Sequence, residues 1–162
     1  MASQFKFTAL TPTMPELLNV VTAVLGVKGE QFTNKDANKA VKMANDGCSY
    51  VLCVDGQDIE GFVDSVDVAP MNSEFNTDGT ITTRRGGGVR RNPIHREEVT
   101  VATGSDKLAP LDYVVAAAQL PLGTAGLAQV KKGTPVRHFW RVISIIKGDG
   151  SAGSTVVIER DD

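Results

Sequence analysis

Aromatic residues make up only 6% of this 162-residue chain, with two cysteines, two histidines and a single tryptophan. No apolar run reaches the ~20 residues that a bilayer-spanning helix needs, so no membrane span is expected. Cys48 and Cys53 stand in strand-like sequence where their side chains point to opposite faces, and a disulfide between them would fight strand geometry. A zinc site needs further Cys or His at ligand spacing, and His95 and His138 stand alone. Both thiols therefore read as buried, and neither metal nor cofactor is expected. Charge of neither sign dominates: 17 Lys and Arg against 19 Asp and Glu leave a net charge of −2. That balance gives no global pull toward nucleic acid or acidic membranes. Gly-x-Ser-x-Gly, His-Glu-x-x-His and Walker patterns are absent, and Gly86-Gly87-Gly88 lacks the Gly-Lys-Ser/Thr ending of a phosphate loop. No enzyme is expected. Residues 1–7 lack the basic region and apolar core of a signal peptide, which points to manufacture in a cytoplasm.

What the chain does have is glycine (16 residues), 41% hydrophobic and 22% charged residues. That composition belongs to a globular chain with many turns, large enough for one domain, or one domain with an arm, to bury a core without disulfides. The longest apolar-rich run is Val136 to Ile146, bounded by Gly133-Thr134-Pro135 and Lys147-Gly148. It reads as a strand that starts near an edge and ends inside a core. Trp140 is its core anchor. Arg137 and Arg141, on the opposite face, are candidates for contact with another subunit or a partner protein.

Residues 1–12 alternate Phe5 and Phe7 with polar neighbours and read as an extended arm. A capping-box pattern follows, with Thr13 as N-cap, Pro15 in the first turn and Glu16 at the third helical position. Leu17, Leu18, Val21, Val24 and Leu25 follow helical spacing, and Gly26 supplies a stop, so one short helix is expected. From Ala40 the pattern has period two, with turns at Asn45-Asp46-Gly47, Asp55-Gly56 and Asp78-Gly79. The expected fold is mainly β, a compact β-barrel or β-sandwich of the β-tulip kind. Residues 1–33 form the arm and helix, and residues 34–162 the β-rich domain. Crossover helices for a parallel sheet are missing.

Arg84 to Arg96 is the most basic stretch, with Arg84, Arg85, Arg90, Arg91 and Arg96 around three glycines read as flexible. It reads as a loop, either solvated and mobile or a contact for an acidic protein surface or another polyanion. No aromatics interleave, so it offers no base-stacking platform, and nucleic acid is the less favoured partner.

The order of segments resembles the head decoration, or cement, proteins of tailed bacteriophages. The likeness is carried by Ala40–Met43, Tyr50–Cys53, Asp58–Val66, Thr80–Val89, Leu111–Ala116, Lys131–Pro135, Trp140–Ser144 and Gly153–Glu159. The resemblance implies a structural virion protein on the outer head surface. Its partner would be the major capsid protein, whose neighbouring subunits it clamps in the expanded, DNA-filled head. It would act as a homo-oligomer, trimer or dimer. Phe5, Phe7, Leu10 and Met14 of the arm are the candidate capsid-binding residues, acting by β-augmentation or apolar insertion. The alternative is a small β-barrel binding module that uses the arginine stretch for nucleic acid or another polyanion.

Overall fold

A computed structural model describes residues 20–27, 29–70, 84–91 and 96–161, with the backbone alone at 68–70. Among these residues lie ten strands: β1 (Val20–Leu25), β2 (Ala40–Met43), β3 (Ser49–Leu52), β4 (Gly61–Pro70), β5 (Arg85–Arg90), β6 (Arg96–Val101), β7 (Tyr113–Ala116), β8 (Gln129–Lys132), β9 (Trp140–Lys147) and β10 (Thr155–Arg160). The helical element is a 3-10 turn at Asn34–Asp36. The fold is mainly β, as its alternating segments predict.

One sequence expectation is corrected. The second half of the expected helix is the strand β1. Val20, Val21, Thr22 and Val24 are β-branched, which restricts their rotamers in a helix and suits them to a pleated surface. The apolar stripe also reads at period two, with Ala23 and Leu25 buried and Val21 partly buried against the same cluster. The capping box at Thr13–Glu16 lies outside the described residues.

The strands close into two rings of five, β1-β3-β2-β4-β5 and β6-β8-β7-β9-β10. In each ring the first strand runs parallel to the third, and every other pairing is antiparallel. The match extends to register. Leu25 pairs with Tyr50 as Val101 pairs with Val130, and Met43 faces Tyr50 as Ala116 faces Val130. Val41 faces Gly61 as Val114 faces Trp140, and Val63 faces Val89 as Val142 faces Ile158. Both β4 and β9 bulge at the same point, with pairing resumed at Ser65–Gly88 and Ser144–Val157. Turn bonds recur too: Gly26 N–H donates to Tyr50 C=O, and Ala102 N–H to Val130 C=O, both at 2.8 Å. The chain is one small barrel used twice.

The two interiors are filled differently. Barrel one packs Leu25, Phe32, Val41, Tyr50, Val63 and Val89. Its β5 carries glycine because there is no room for more: a Cβ on Gly87 would sit 2.3 Å from Ser65 O and 2.6 Å from Leu25 Cδ1. The glycines read as flexible are thus tight strand positions. Barrel two instead lines the corresponding positions with Val99, Val101, Val130, Val142, Val156 and Ile158.

Ala40, Cys53, Ile59 and Phe62 belong to barrel one but pack into the core of barrel two. Phe62 meets Trp140 edge-on, with ring centroids 5.2 Å apart. Trp140, 1% exposed, donates its indole N–H to Ile59 C=O at 3.0 Å. Counted along the paired strands, Asp58 corresponds to Arg137, and Arg91 to Arg160. These counterparts meet: the Asp58 carboxylate accepts the Arg137 N–H at 2.6 Å, and Arg160 donates to Arg91 C=O at 2.8 Å. Positions that touch their own counterparts are the mark of an isologous contact. The two barrels meet as the halves of a twofold dimer do.

Candidate interaction surfaces

The arginines of the basic stretch are separated by the structure rather than gathered. Arg85 and Arg90 bound the strand β5, and Arg91 follows it, so this part of the expected loop is strand. Arg90 is the junction's central cation. It grips both carboxylate oxygens of Glu97 at 2.7 and 3.0 Å, Asp64 at 2.9 Å and the Asn38 side-chain oxygen at 2.9 Å. Burial works against its charge, but Glu97 and then Asp64 outweigh that and raise its pKa. Bidentate charge-assisted bonds of this kind hold an arginine in place, and Arg90 serves the fold. Arg96 pairs with Glu159 at 2.6 Å, and Arg91 lies over the Tyr50 ring at 5.8 Å. Arg84 reaches Ser49 Oγ at 3.5 Å. Arg85 differs: its Nη1 is buried without a hydrogen-bond partner among the described residues, beside a hollow lined by Gln31, Thr33, Asn34 and Asp67. His95 lies outside the described residues.

On β9, Trp140 and Val142 are buried while Arg141 is partly exposed, as period two predicts. The bulge then turns Ile145 toward the core and leaves Ile146 exposed at 53%. This explains why Ile145, out of phase with Trp140 and Val142, is apolar. Arg141 pairs with Asp161 at 3.3 Å, and Arg137 is exposed, with its N–H held by Asp58. His138 Nδ1 lies 2.7 Å from Arg160 Nη2. Cys53 is buried, and burial pushes its thiol up to about 12. Cys48, expected to be buried, is exposed in the β2–β3 turn. Phe5, Phe7, Leu10 and Met14 lie outside the described residues. Among the described residues no group of His, Cys, Asp and Glu side chains gathers for a metal ion.

The barrels differ in the connection between their second and third strands. Between β2 and β3 five residues, 44–48, make a tight turn; between β7 and β8 the chain takes twelve, 117–128. That longer loop lies on barrel one. Lys39 Nζ donates to Pro121 C=O at 2.6 Å, Gly123 N–H to Asp36 at 2.8 Å, and Ala128 N–H to Asn38 C=O at 3.1 Å. Leu122 packs against the barrel-one core. Beneath the loop Asp36 and Lys39 form a fully buried ion pair. Burial opposes the Asp36 charge, but Lys39 and the N–H groups of Thr33 and Gly123 overcome it and hold the carboxyl below its ordinary range.

Among the described residues, the matching place on barrel two lacks such a cover. Asn38 corresponds to Leu111: their N–H groups donate to Val63 C=O at 2.7 Å and Val142 C=O at 2.8 Å. Both have positive φ, 69° and 75°, alone among the described non-glycine residues. Asparagine tolerates that region; for leucine it costs roughly 1–3 kcal/mol. Yet Leu111 is 69% exposed, so no packing explains the choice. Tyr113 beside it is 39% exposed, stacked edge-on with Phe139 and bonded through its hydroxyl to Asp161 at 3.0 Å.

Sequence reasoning missed the Asp36–Lys39 pair, Asp58 as an acceptor of main-chain N–H groups, and Leu111. For Lys39 and Asp36 the Thr33–Asp36 capping box was the available signal. For Leu111 it was the Ala-Pro-Leu-Asp turn, where a leucine takes a place suited to asparagine or glycine. No protein-family model, curated protein or solved structure matches the chain.

Proposed function

We propose that the chain is a structural interaction protein of the head-decoration kind. It binds the outer surface of a phage capsid and stabilises the expanded head by clamping neighbouring capsid subunits. The observation that carries this reading is where the resembling segments fall. They lie on β2–β5 and β7–β10, so the likeness runs through strands of both barrels. A fused pair of barrels with a shared interior offers a stiff body and two related surfaces to a lattice of repeated partners. Many copies, each bound weakly, shift a shell toward its bound, expanded form by mass action. The arm residues Phe5, Phe7, Leu10 and Met14, with Arg137 and Arg141 on the body, are the proposed contacts. The partner is the major capsid protein, and the site of action is the virion surface.

Sedimentation of the purified protein with expanded empty heads, and separately with duplex DNA, tests this reading. Saturable co-sedimentation with heads and none with DNA is expected. Binding to DNA that weakens steeply with salt would replace the proposal by the polyanion reading, with Arg84, Arg85 and Arg91 as contacts.

A further inference from the structure

We propose that the hollow at Arg85 is a binding site for a carboxylate on a short apolar stem. Arg85 is in phase with Gly87 and Val89, the inward positions of β5, so its side chain enters one end of barrel one. Its Nη1 is buried there without a hydrogen-bond partner among the described residues. A guanidinium nitrogen taken out of water and left unpaired is unfavourable, because the donor gives up hydration and gains nothing in return. Barrel two shows that the architecture does not require such a group. Thr155 pairs with Thr100 as Gly86 pairs with Val24, which puts Ser154 in the place of Arg85. Ser154 is 3% exposed, and its Oγ accepts the Gly150 N–H at 3.0 Å. Gly150 C=O in turn accepts the N–H of the buried Leu108 at 2.9 Å. The serine is satisfied within its own barrel, whereas the arginine is not.

The walls of the hollow define its ligand. Phe32 and Val66 give apolar surface, and Gln31 and Asn34 carry side-chain amides. Among the described lining residues Arg85 is the only cation and Asp67 the only acid. The Asp67 carboxylate lies over Gly86, in the space that a Cβ there would need. One guanidinium with an acid beside it fits a single negative charge. A phosphate, which carries nearly two, meets more repulsion from Asp67. The planar arginine fork also matches the two oxygens of a carboxylate. Size sets the rest: the hollow encloses about 190 Å³, below the ~300–1,000 Å³ of sites that take drug-sized ligands. A carboxylate enters with a short stem against Phe32 and Val66, and a nucleotide does not. Such a group comes as a free short-chain acid or as a glutamate side chain of another protein. The site does not depend on the capsid reading.

Calorimetric titration of the full-length chain with sodium butyrate at constant ionic strength tests the site, with nitrogen NMR of the arginine side chains placing the event at Arg85. Saturable binding is expected, with inorganic phosphate weaker by about tenfold, and with butyrate weakened at least about tenfold in Arg85→Ser, which copies barrel two. In Asp67→Asn, a change at an exposed residue, butyrate should bind about threefold more tightly, because a like charge leaves the rim. A glutamate peptide with blocked ends separates the two sources. Tighter binding than butyrate assigns a protein side chain, equal or weaker binding assigns a free acid, and either result keeps the carboxylate site. Absence of saturation with butyrate would overturn the proposal. So would phosphate binding as tight as butyrate, or a butyrate affinity unchanged in both variants.

Discussion

Barrel one and barrel two share strand order, register and even a bulge, yet they are stabilised in different ways. Barrel one concentrates volume in a few large residues, Leu25, Phe32 and Tyr50, and makes room for them with Gly87. Barrel two lines the corresponding positions with five valines and Ile158. Barrel one is capped by a loop from its partner and by a buried ion pair; among the described residues nothing comparable covers the corresponding face of barrel two. Where barrel one has Gly61, barrel two has Trp140, whose indole N–H bonds to Ile59 C=O across the junction. The lesson is that pairing register defines this barrel, and that side-chain volume can be redistributed within it as long as the total still fills the interior.

Substitutions at corresponding positions can break that comparison. The largest effect is expected at the junction: Trp140→Ala removes the anchor between barrels and should cost about 3–5 kcal/mol in denaturant unfolding. If it costs less than about 1 kcal/mol, the barrels do not depend on one another.

Next comes the capping pair. Lys39→Ala leaves the Asp36 carboxylate buried and unpaired and should cost about 3 kcal/mol. The pair also sets an acid limit. Asp36 has a folded-state pKa below its unfolded value, so its contribution is present above the unfolded value near 4 and is lost as pH falls through the lowered folded one. The acid limb of stability against pH should therefore be shallower in Asp36→Asn, though that chain starts less stable. An unchanged limb would remove Asp36 from the account.

Gly87→Ala places a methyl group against Ser65 O and Leu25 and should cost about 2 kcal/mol by overpacking. Val156→Ala, at the corresponding position of barrel two, should cost about as much for the opposite reason, a cavity. Tolerance of both would show that the interiors are not tightly filled.

Much of the β character was legible because alternation survives in segments such as Glu98–Val101. The duplication was not. At the paired positions that correspond, only Val41 and Val114, Val63 and Val142, and Ser65 and Ser144 are identical. A barrel constrains which positions face inward and how much volume they share, and it leaves the residue types free. The helix expected through Val20–Leu25 failed for a related reason: six residues of mixed β-branched and apolar type satisfy both periods, and tertiary pairing decides. The arginine stretch was visible as charge, but not that Arg90 would be consumed by Glu97 and Asp64 while Arg85 would be left facing a hollow. Partners distant in sequence decide that, and composition does not carry them.

The smallest effects belong to the pair that tests the central claim, one barrel in two copies under different loads. Thermal and denaturant unfolding of Asn38→Leu and Leu111→Asn measures it directly. Asn38→Leu should destabilise by about 2 kcal/mol, through strain and the lost bond to Arg90, while Leu111→Asn should stabilise by about 1 kcal/mol as strain is relieved. Opposite signs support two equivalent left-handed positions. Shifts of the same sign would contradict the correspondence.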